Sequence, residues 1–334
     1  DPAKPDQPAA AGGFSGGTVA RVRPRGVAEW FVLKAFGPGT TRERAAWVHA
    51  FATHLAARGA CEVPAPLPSR DGDTVVTDAA GVHWELVPFV AGSTTDSPDV
   101  AQAAAALAAV ACVHVAGASL PAHPPRPGPS PGVVRRKGQI AALPARPWST
   151  PRACPIPGGP LAAAARDRRD RAIGLLDAAI WRRAVAAVAA WPADPLPLQP
   201  VLRDVWADHV IFAPGSAARV AGIVDLHAAG IDTPATDVAR LAGSWRPPRR
   251  PHKVDPAAAW PEAVAAYEAV RPLSAAERAV VPFLDAAGVI CGLDNWFRWT
   301  LEEGRSFPDE AAALARIDRL LDRLPAAVGW LAAT

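Results

Sequence analysis

Asp204 and Asp225 are the residues of this 334-residue chain best suited to share one chemical task. Asp204 stands in Leu202-Arg203-Asp204-Val205-Trp206-Ala207-Asp208-His209, which passes into the apolar run Val210-Ile211-Phe212. Asp225 ends a second apolar run, Gly222-Ile223-Val224-Asp225, and is followed by Leu226-His227. An aspartate on a loop, a ligand five residues later and a second aspartate just past the next strand form a layout suited to phosphoryl transfer. The first carboxylate would orient or deprotonate a hydroxyl, and the others would hold a cation that bridges phosphates. Counting alone permits another chemistry, because Asp204, Asp208, His209, Asp225 and His227 contain enough ligands for the metal centre of a hydrolase. Blander roles also exist. Aspartates at strand ends often accept backbone hydrogen bonds as turn residues, and His209 has two readings, a metal contact or a packed histidine bonded to a backbone carbonyl.

These residues need a scaffold, and the hydrophobic pattern indicates one. Residues 1–11 are polar and proline-rich and read as a disordered arm. The runs around Thr18–Pro24 and Glu29–Phe36 read as a hairpin joined at Pro24–Gly26, with a glycine-rich stretch, Gly12–Gly17, at its start. Residues 40–59 have apolar positions at helical spacing, with threonine at the start and Gly59 at the end, and residues 73–92 give two more strands about an Ala-Ala-Gly turn. From Asp99 the chain turns alanine-rich and helical, with a boundary near 88–98. Residues 121–160 are dense in proline and glycine and read as largely loop. Helices at about 161–190 precede the two β segments that carry the aspartates, and 255–334 is helical by period, with Trp260, Trp296, Trp299 and Trp330 as packing anchors.

The motifs resemble those of the aminoglycoside phosphotransferase and choline kinase group of small-molecule kinases. That family carries His-Gly-Asp-x-x-x-x-Asn, an apolar strand, then Ile-Asp-Phe/Trp; this chain carries Leu-Arg-Asp-x-x-x-x-His and Val-Asp-Leu. Asp232-Thr233-Pro234-Ala235-Thr236-Asp237-Val238-Ala239 is similar to the family's Asp-Pro-Ala-x-Asp-Leu-Ala, whose second aspartate is structural. The resemblance implies an α+β, protein-kinase-like two-lobed fold with a small β-rich N-lobe at 12–90 and a large, mainly helical C-lobe at 91–334. It implies ATP and Mg2+ as cofactors, phosphoryl transfer to a hydroxyl of an aminoglycoside-, amino alcohol- or sugar-like molecule, and catalytic roles for Asp204 and Arg203. Asp225 and His209 fall at its metal positions. His209 stands where the family has asparagine, and imidazole suits transition metals better than magnesium, so Mn2+ is the second candidate. Gly13, Ser15 and Gly16 would cover the phosphates, Lys34 would hold them, Glu43 would pair with Lys34, and the backbone near Val87, in Trp84-Glu85-Leu86-Val87-Pro88, would meet adenine. His114 matches a structural histidine of the family, and Asp294, Glu302 and Glu303 are candidates for a cationic acceptor. The departures at Leu202 and His209 leave a second reading open, a degenerate kinase fold that binds nucleotide or a protein without turnover.

Composition narrows the partners. With 35 Lys and Arg against 32 Asp and Glu, the net charge of +3 gives no nucleic-acid footprint and no membrane-coating surface, so a small molecule is the expected partner. Four scattered cysteines without a Cys-x-x-Cys pair fit a reducing cytoplasm. The opening at Asp1, without the pattern of a signal peptide, reads as a fragment or trimmed product of a soluble protein. Val100–Leu120 carries no formal charge and is long enough to span a bilayer, yet Gln102, His114 and its alanines predict a buried helix. The basic run from Trp245 to Lys253 reads as a solvated loop.

Overall fold

The structure, a computed structural model, describes residues 18–59, 63–149, 159–216, 218–246 and 255–334. The expected arm at 1–11, the glycine-rich stretch with Gly13, Ser15 and Gly16, and most of the basic run lie outside the described residues. In chain order the strands are β1 (Val19–Val22), β2 (Phe31–Ala35), β3 (Val76–Thr77), β4 (His83–Pro88), β5 (Arg126–Gly128), β6 (Leu196–Val201), β7 (Val210–Phe212), β8 (Val220–Ile223) and β9 (Gly230–Asp232). The helices are α1 (Arg42–Ala57), α2 (Val100–Ala118), α3 (Pro131–Ala141), α4 (Pro160–Gly174), α5 (Ala178–Ala190), α6 (Ala235–Ser244), α7 (Pro256–Ala259), α8 (Pro261–Val270), α9 (Ala275–Phe297) and α10 (Glu310–Ala333). This is an α+β chain with a small antiparallel sheet and a larger helical part.

The chain divides into two compact units, 1–125 with 199–231 and 262–272, and 126–198 with 232–261 and 273–334. The sequence boundary near 90 is not where this division falls. Composition there records the change from strand to alanine-rich helix, whereas α2 packs with α1 and β8 and so stays with the sheet.

In the first unit the sheet runs β1-β2-β4-β3, antiparallel throughout. Its first hairpin turns at Pro24–Gly26, as the sequence predicts, with Val27 N–H donating to Pro24 O. Lys34 lies opposite Val19 on one side and Glu85 on the other, and cross-strand partners share a face, so Lys34 and Glu85 project together. Helix α1 begins at Thr41, whose hydroxyl accepts from Arg44 N–H, a cap that contributes about 1 kcal/mol. Its buried stripe is Ala45, Val48, His49, Ala52 and Leu55, the spacing of one helix face.

Helix α2 opens with a capping box between Asp99 and Gln102. It is long and apolar enough to cross a membrane, but it is built into the core: His114 Nδ1 hydrogen-bonds the Tyr267 hydroxyl at 2.7 Å and Gln199 donates to His114 O at 2.6 Å. His114 thus has the structural place its family match implies. Gly117 allows the close approach of β6, since a Cβ there would lie 2.9 Å from Pro200 O.

The second unit is helical around α9 and α10, which pack on each other and, variously, on α3, α4, α5 and α6. Arg323 ties three of these together, bonding Asp285 of α9 at 2.5 Å and Gly243 O of α6 at 2.7 Å. Burial pushes the Asp285 carboxyl up, against the opposing pull of Arg323. Asp237 is buried in α6, the core position expected of it. The tryptophans do act as anchors: Trp245 meets Trp260 edge-on, Trp296 meets Trp299, and Trp330 packs on Trp191.

The stretch 121–160 corrects the reading of a long loop, because its described part contains β5 and the whole of α3. Pro131 occupies the first turn of α3, where a proline lacks no bond that a helix would make, and Ser130 caps it by accepting from Val133 N–H. Ser130 also donates to Asp232 Oδ1 at 2.6 Å, which fixes the start of the Asp232–Asp237 motif within this unit.

Candidate active site

Lys34, His209 and Asp225 meet in the first unit. Strands β7 and β8 form a hairpin with Val210 opposite Ile223, so His209 and Val224 flank its open end, joined by Val224 N–H to His209 O at 2.9 Å. Asp225, one residue on, has φ 63 and ψ 63, a left-handed conformation that aspartate tolerates better than most residues but that still requires support. Its Oδ1 accepts from the ammonium of Lys34, and its Oδ2 lies 3.9 Å from His209 Nε2. The two motifs therefore converge: Lys34 from the sheet, Asp225 and His209 from the hairpin. Burial works to raise the Asp225 carboxyl, but the charges of Lys34 and His209 outweigh it and hold the group well below the usual carboxylate range. His209 Nδ1 is buried without a hydrogen-bond partner, so the reading of a histidine bonded to a backbone carbonyl through that atom fails.

Asp204 lies in the turn between β6 and a short 3-10 helix, Ala207–His209, and its Oδ1 accepts from the Trp206 indole N–H at 2.9 Å. Arg203 has φ 66, and its guanidinium packs on the backbone of Gly230, where a Cβ would lie 2.6 Å from Nη1. Arg203 thus braces the turn against β9. Val87 sits in β4 opposite Val32, on the face that carries Lys34.

Glu43 is a correction. It is exposed in the first turn of α1, while Lys34 is paired with Asp225 instead. The buried acid beside Lys34 is Glu85 of β4, which sequence reasoning missed. Glu85 Oε2 bonds His49 Nε2 of α1 at 2.8 Å and Oε1 bonds His227 Nε2 at 2.7 Å. Burial opposes its ionisation, yet the two histidines lower its carboxyl to about 2. The signal was present in α1: a histidine inside an otherwise apolar stripe needs a buried partner.

The hydrolase ligand set does not assemble. His227 is turned to Glu85, Asp208 is exposed, and among the described residues no group of three His, Cys, Asp or Glu side chains gathers as a metal centre. In the second unit Asp294 is buried, accepting from Trp148 Nε1 at 3.2 Å and Gln139 Nε2 at 3.0 Å, and Glu303 is paired with Arg298 and Arg305.

This constellation is that of a kinase-like phosphotransferase, and the chain belongs to the phosphotransferase enzyme family, whose sequence profile matches residues 6–273. It is 30% identical over 267 residues to homoserine kinase of Brucella anthropi, covering 78% of this chain and 70% of that protein. It is 28% identical over 255 residues to homoserine kinase of Xanthobacter autotrophicus, covering 76% and 69%. Solved structures share the fold at low identity. A spectinomycin phosphotransferase in complex with ADP and spectinomycin matches with TM-score 0.61 at 10% identity, over 98% of this chain and 91% of that one. An amicoumacin kinase in complex with AMP-PNP and Ca2+ matches with TM-score 0.59 at 13% identity, over 97% and 90%. The microcompartment-associated aminopropanol kinase matches with TM-score 0.57 at 17% identity, over 97% and 94%. The chain is thus a phosphotransferase whose acceptor is a hydroxyl of a small molecule.

Proposed function

We propose that this protein is an ATP-dependent kinase that phosphorylates a small hydroxy amino acid of the homoserine type, acting in the cytoplasm. One observation carries the reading: Lys34 pairs with Asp225 at the end of a hairpin whose approach carries Asp204, in a chain similar to the homoserine kinases of Brucella anthropi and Xanthobacter autotrophicus. ATP and a divalent cation are its cofactors. Asp225 and His209 would hold the cation, since a carboxylate oxygen and an imidazole nitrogen face each other there, 3.9 Å apart. When bound, the cation neutralises charge on the phosphate oxygens. Imidazole at this position favours Mn2+ over Mg2+.

Lys34 exchanges Asp225 for the nucleotide phosphates, Gly13, Ser15 and Gly16 supply backbone N–H groups to them, and the backbone at Val87 meets the adenine edge. Asp204, oriented by Trp206, accepts the proton of the acceptor hydroxyl as its oxygen bonds to the γ-phosphorus. The bond from that phosphorus to the bridging oxygen breaks and ADP leaves. Arg203 holds the turn in place through Gly230.

The test is ADP release with ATP and Mn2+ or Mg2+, offered homoserine, serine, aminopropanol and an aminoglycoside, for the natural chain and Asp204→Ala. Turnover with homoserine that the variant lacks supports the reading. Nucleotide binding without turnover on any acceptor under either metal would sink it in favour of the degenerate fold.

A further inference from the structure

We infer that Glu85 is a positioning residue for Asp225, doing from the sheet, through histidines, what the helix glutamate of a kinase does through its lysine. Glu85 lies beside Lys34 on β4 and is 8% exposed, and each of its oxygens takes one histidine. His49 fixes it to α1 and is itself held by Thr74 Oγ1 at 2.9 Å from Nδ1. His227, two residues past Asp225, is held three ways. Its Nε2 meets Glu85, its ring stacks on Phe36 with centroids 4.0 Å apart, and its carbonyl accepts from Arg44 of α1 at 2.9 Å, the same guanidinium that donates to Ala229 O.

The turn that presents Asp225 is thus clamped at its C-terminal side by side chain and backbone alike. Such a clamp has a reason. The left-handed backbone at Asp225 persists only where its surroundings over-determine it. Glu43, in the expected helix position, is exposed, so the side-chain link between α1 and the metal-holding aspartate runs through His49, Glu85 and His227, beside the backbone contacts of Arg44. Glu85 touches neither nucleotide nor acceptor in this scheme; it sets where Asp225 stands.

This rests on the proposed nucleotide site but not on the acceptor, and the test separates the two. Affinity for Mn2+·AMP-PNP is measured by calorimetry for the natural chain, Glu85→Gln, Glu85→Ala and His227→Phe, which keeps the stacking ring. His114→Phe serves as control, because it breaks a buried bond of the same unit, to Tyr267. Groups that orient a metal ligand are worth about 10–100-fold in affinity, so His227→Phe and Glu85→Ala should weaken binding at least about tenfold, with Glu85→Gln between them and the natural chain. The KM for the acceptor should stay within about twofold, the split expected when only nucleotide binding is touched. The control should lose melting temperature without losing affinity. Variants that lose melting temperature yet bind Mn2+·AMP-PNP like the natural chain would make Glu85 a packing residue and overturn the inference. A natural chain that binds Mn2+·AMP-PNP but phosphorylates no hydroxy amino acid would overturn the acceptor alone, and one that binds no metal–nucleotide would overturn both.

Discussion

The ammonium of Lys34 donates to Oδ1 of Asp225 across 191 positions of sequence, and that contact joins the sheet to the hairpin that carries the second aspartate. Lys34 is buried, so its charge depends on a partner at all times, on Asp225 in this structure and on phosphate in the proposed complex. Lys34→Met should lower kcat/KM by about 100-fold or more, the usual loss when a group that stabilises transferring phosphate charge is removed. Steady-state kinetics against ATP checks this; a loss under threefold would remove Lys34 from the site.

Trp206 orients Asp204 through one N–H···O bond of 2.9 Å. Trp206→Phe keeps the ring and deletes the donor. We expect kcat to fall by about tenfold with the KM for ATP unchanged, because proton transfer requires the carboxylate in place while nucleotide binding does not. A change confined to KM would contradict the role of Asp204 as the base.

His209 supplies imidazole where an amide oxygen would suit magnesium better. The ratio of kcat/KM with Mn2+ to that with Mg2+ should exceed one in the natural chain, and His209→Asn should shift it toward Mg2+ by about tenfold. An unchanged ratio would mean that His209 does not touch the cation.

Acid should loosen the first unit through Glu85. Its carboxyl is lowered from the usual 4.5 to about 2, so the folded state holds the charged form more strongly than the unfolded chain does. A lowered value stabilises the fold above the unfolded pKa, and this contribution disappears as pH falls through the window between them. At neutral pH it is on the order of 3 kcal/mol. Asp225 is shifted in the same direction. Urea unfolding at several pH values from neutral down to about 3 should show stability falling more steeply for the natural chain than for Glu85→Gln; parallel slopes would assign the acid sensitivity to other groups.

Much of the site was legible because its parts are local. His209 and Asp225 flank one hairpin, so their spacing encodes their closeness, and the strand pattern around Lys34 picked out the lysine that pairs with Asp225. Glu43 misled because spacing along a helix does not say which face meets the site. His49 lies on the buried stripe and Glu43 does not. Glu85 escaped because its partners, His49 and His227, lie 36 and 142 positions away, a distance that no local pattern reports. Helix α3 escaped for another reason: proline density reads as loop unless the proline is recognised as the first residue after a serine cap.

Gly92 shows how tolerance to substitution can part from chemistry. The segment after β4 runs past β7 with Ser93 and Phe212 exchanging backbone hydrogen bonds, and a Cβ at position 92, where φ is 153, would lie 2.1 Å from Phe212 O. Any other amino acid there would push the connecting segment off the hairpin that leads to Asp225. A saturation screen for activity would therefore score Gly92 as harshly as Asp204, although it contributes neither a proton nor a charge, and only a measurement that separates the amount of folded protein from its turnover would tell the two apart.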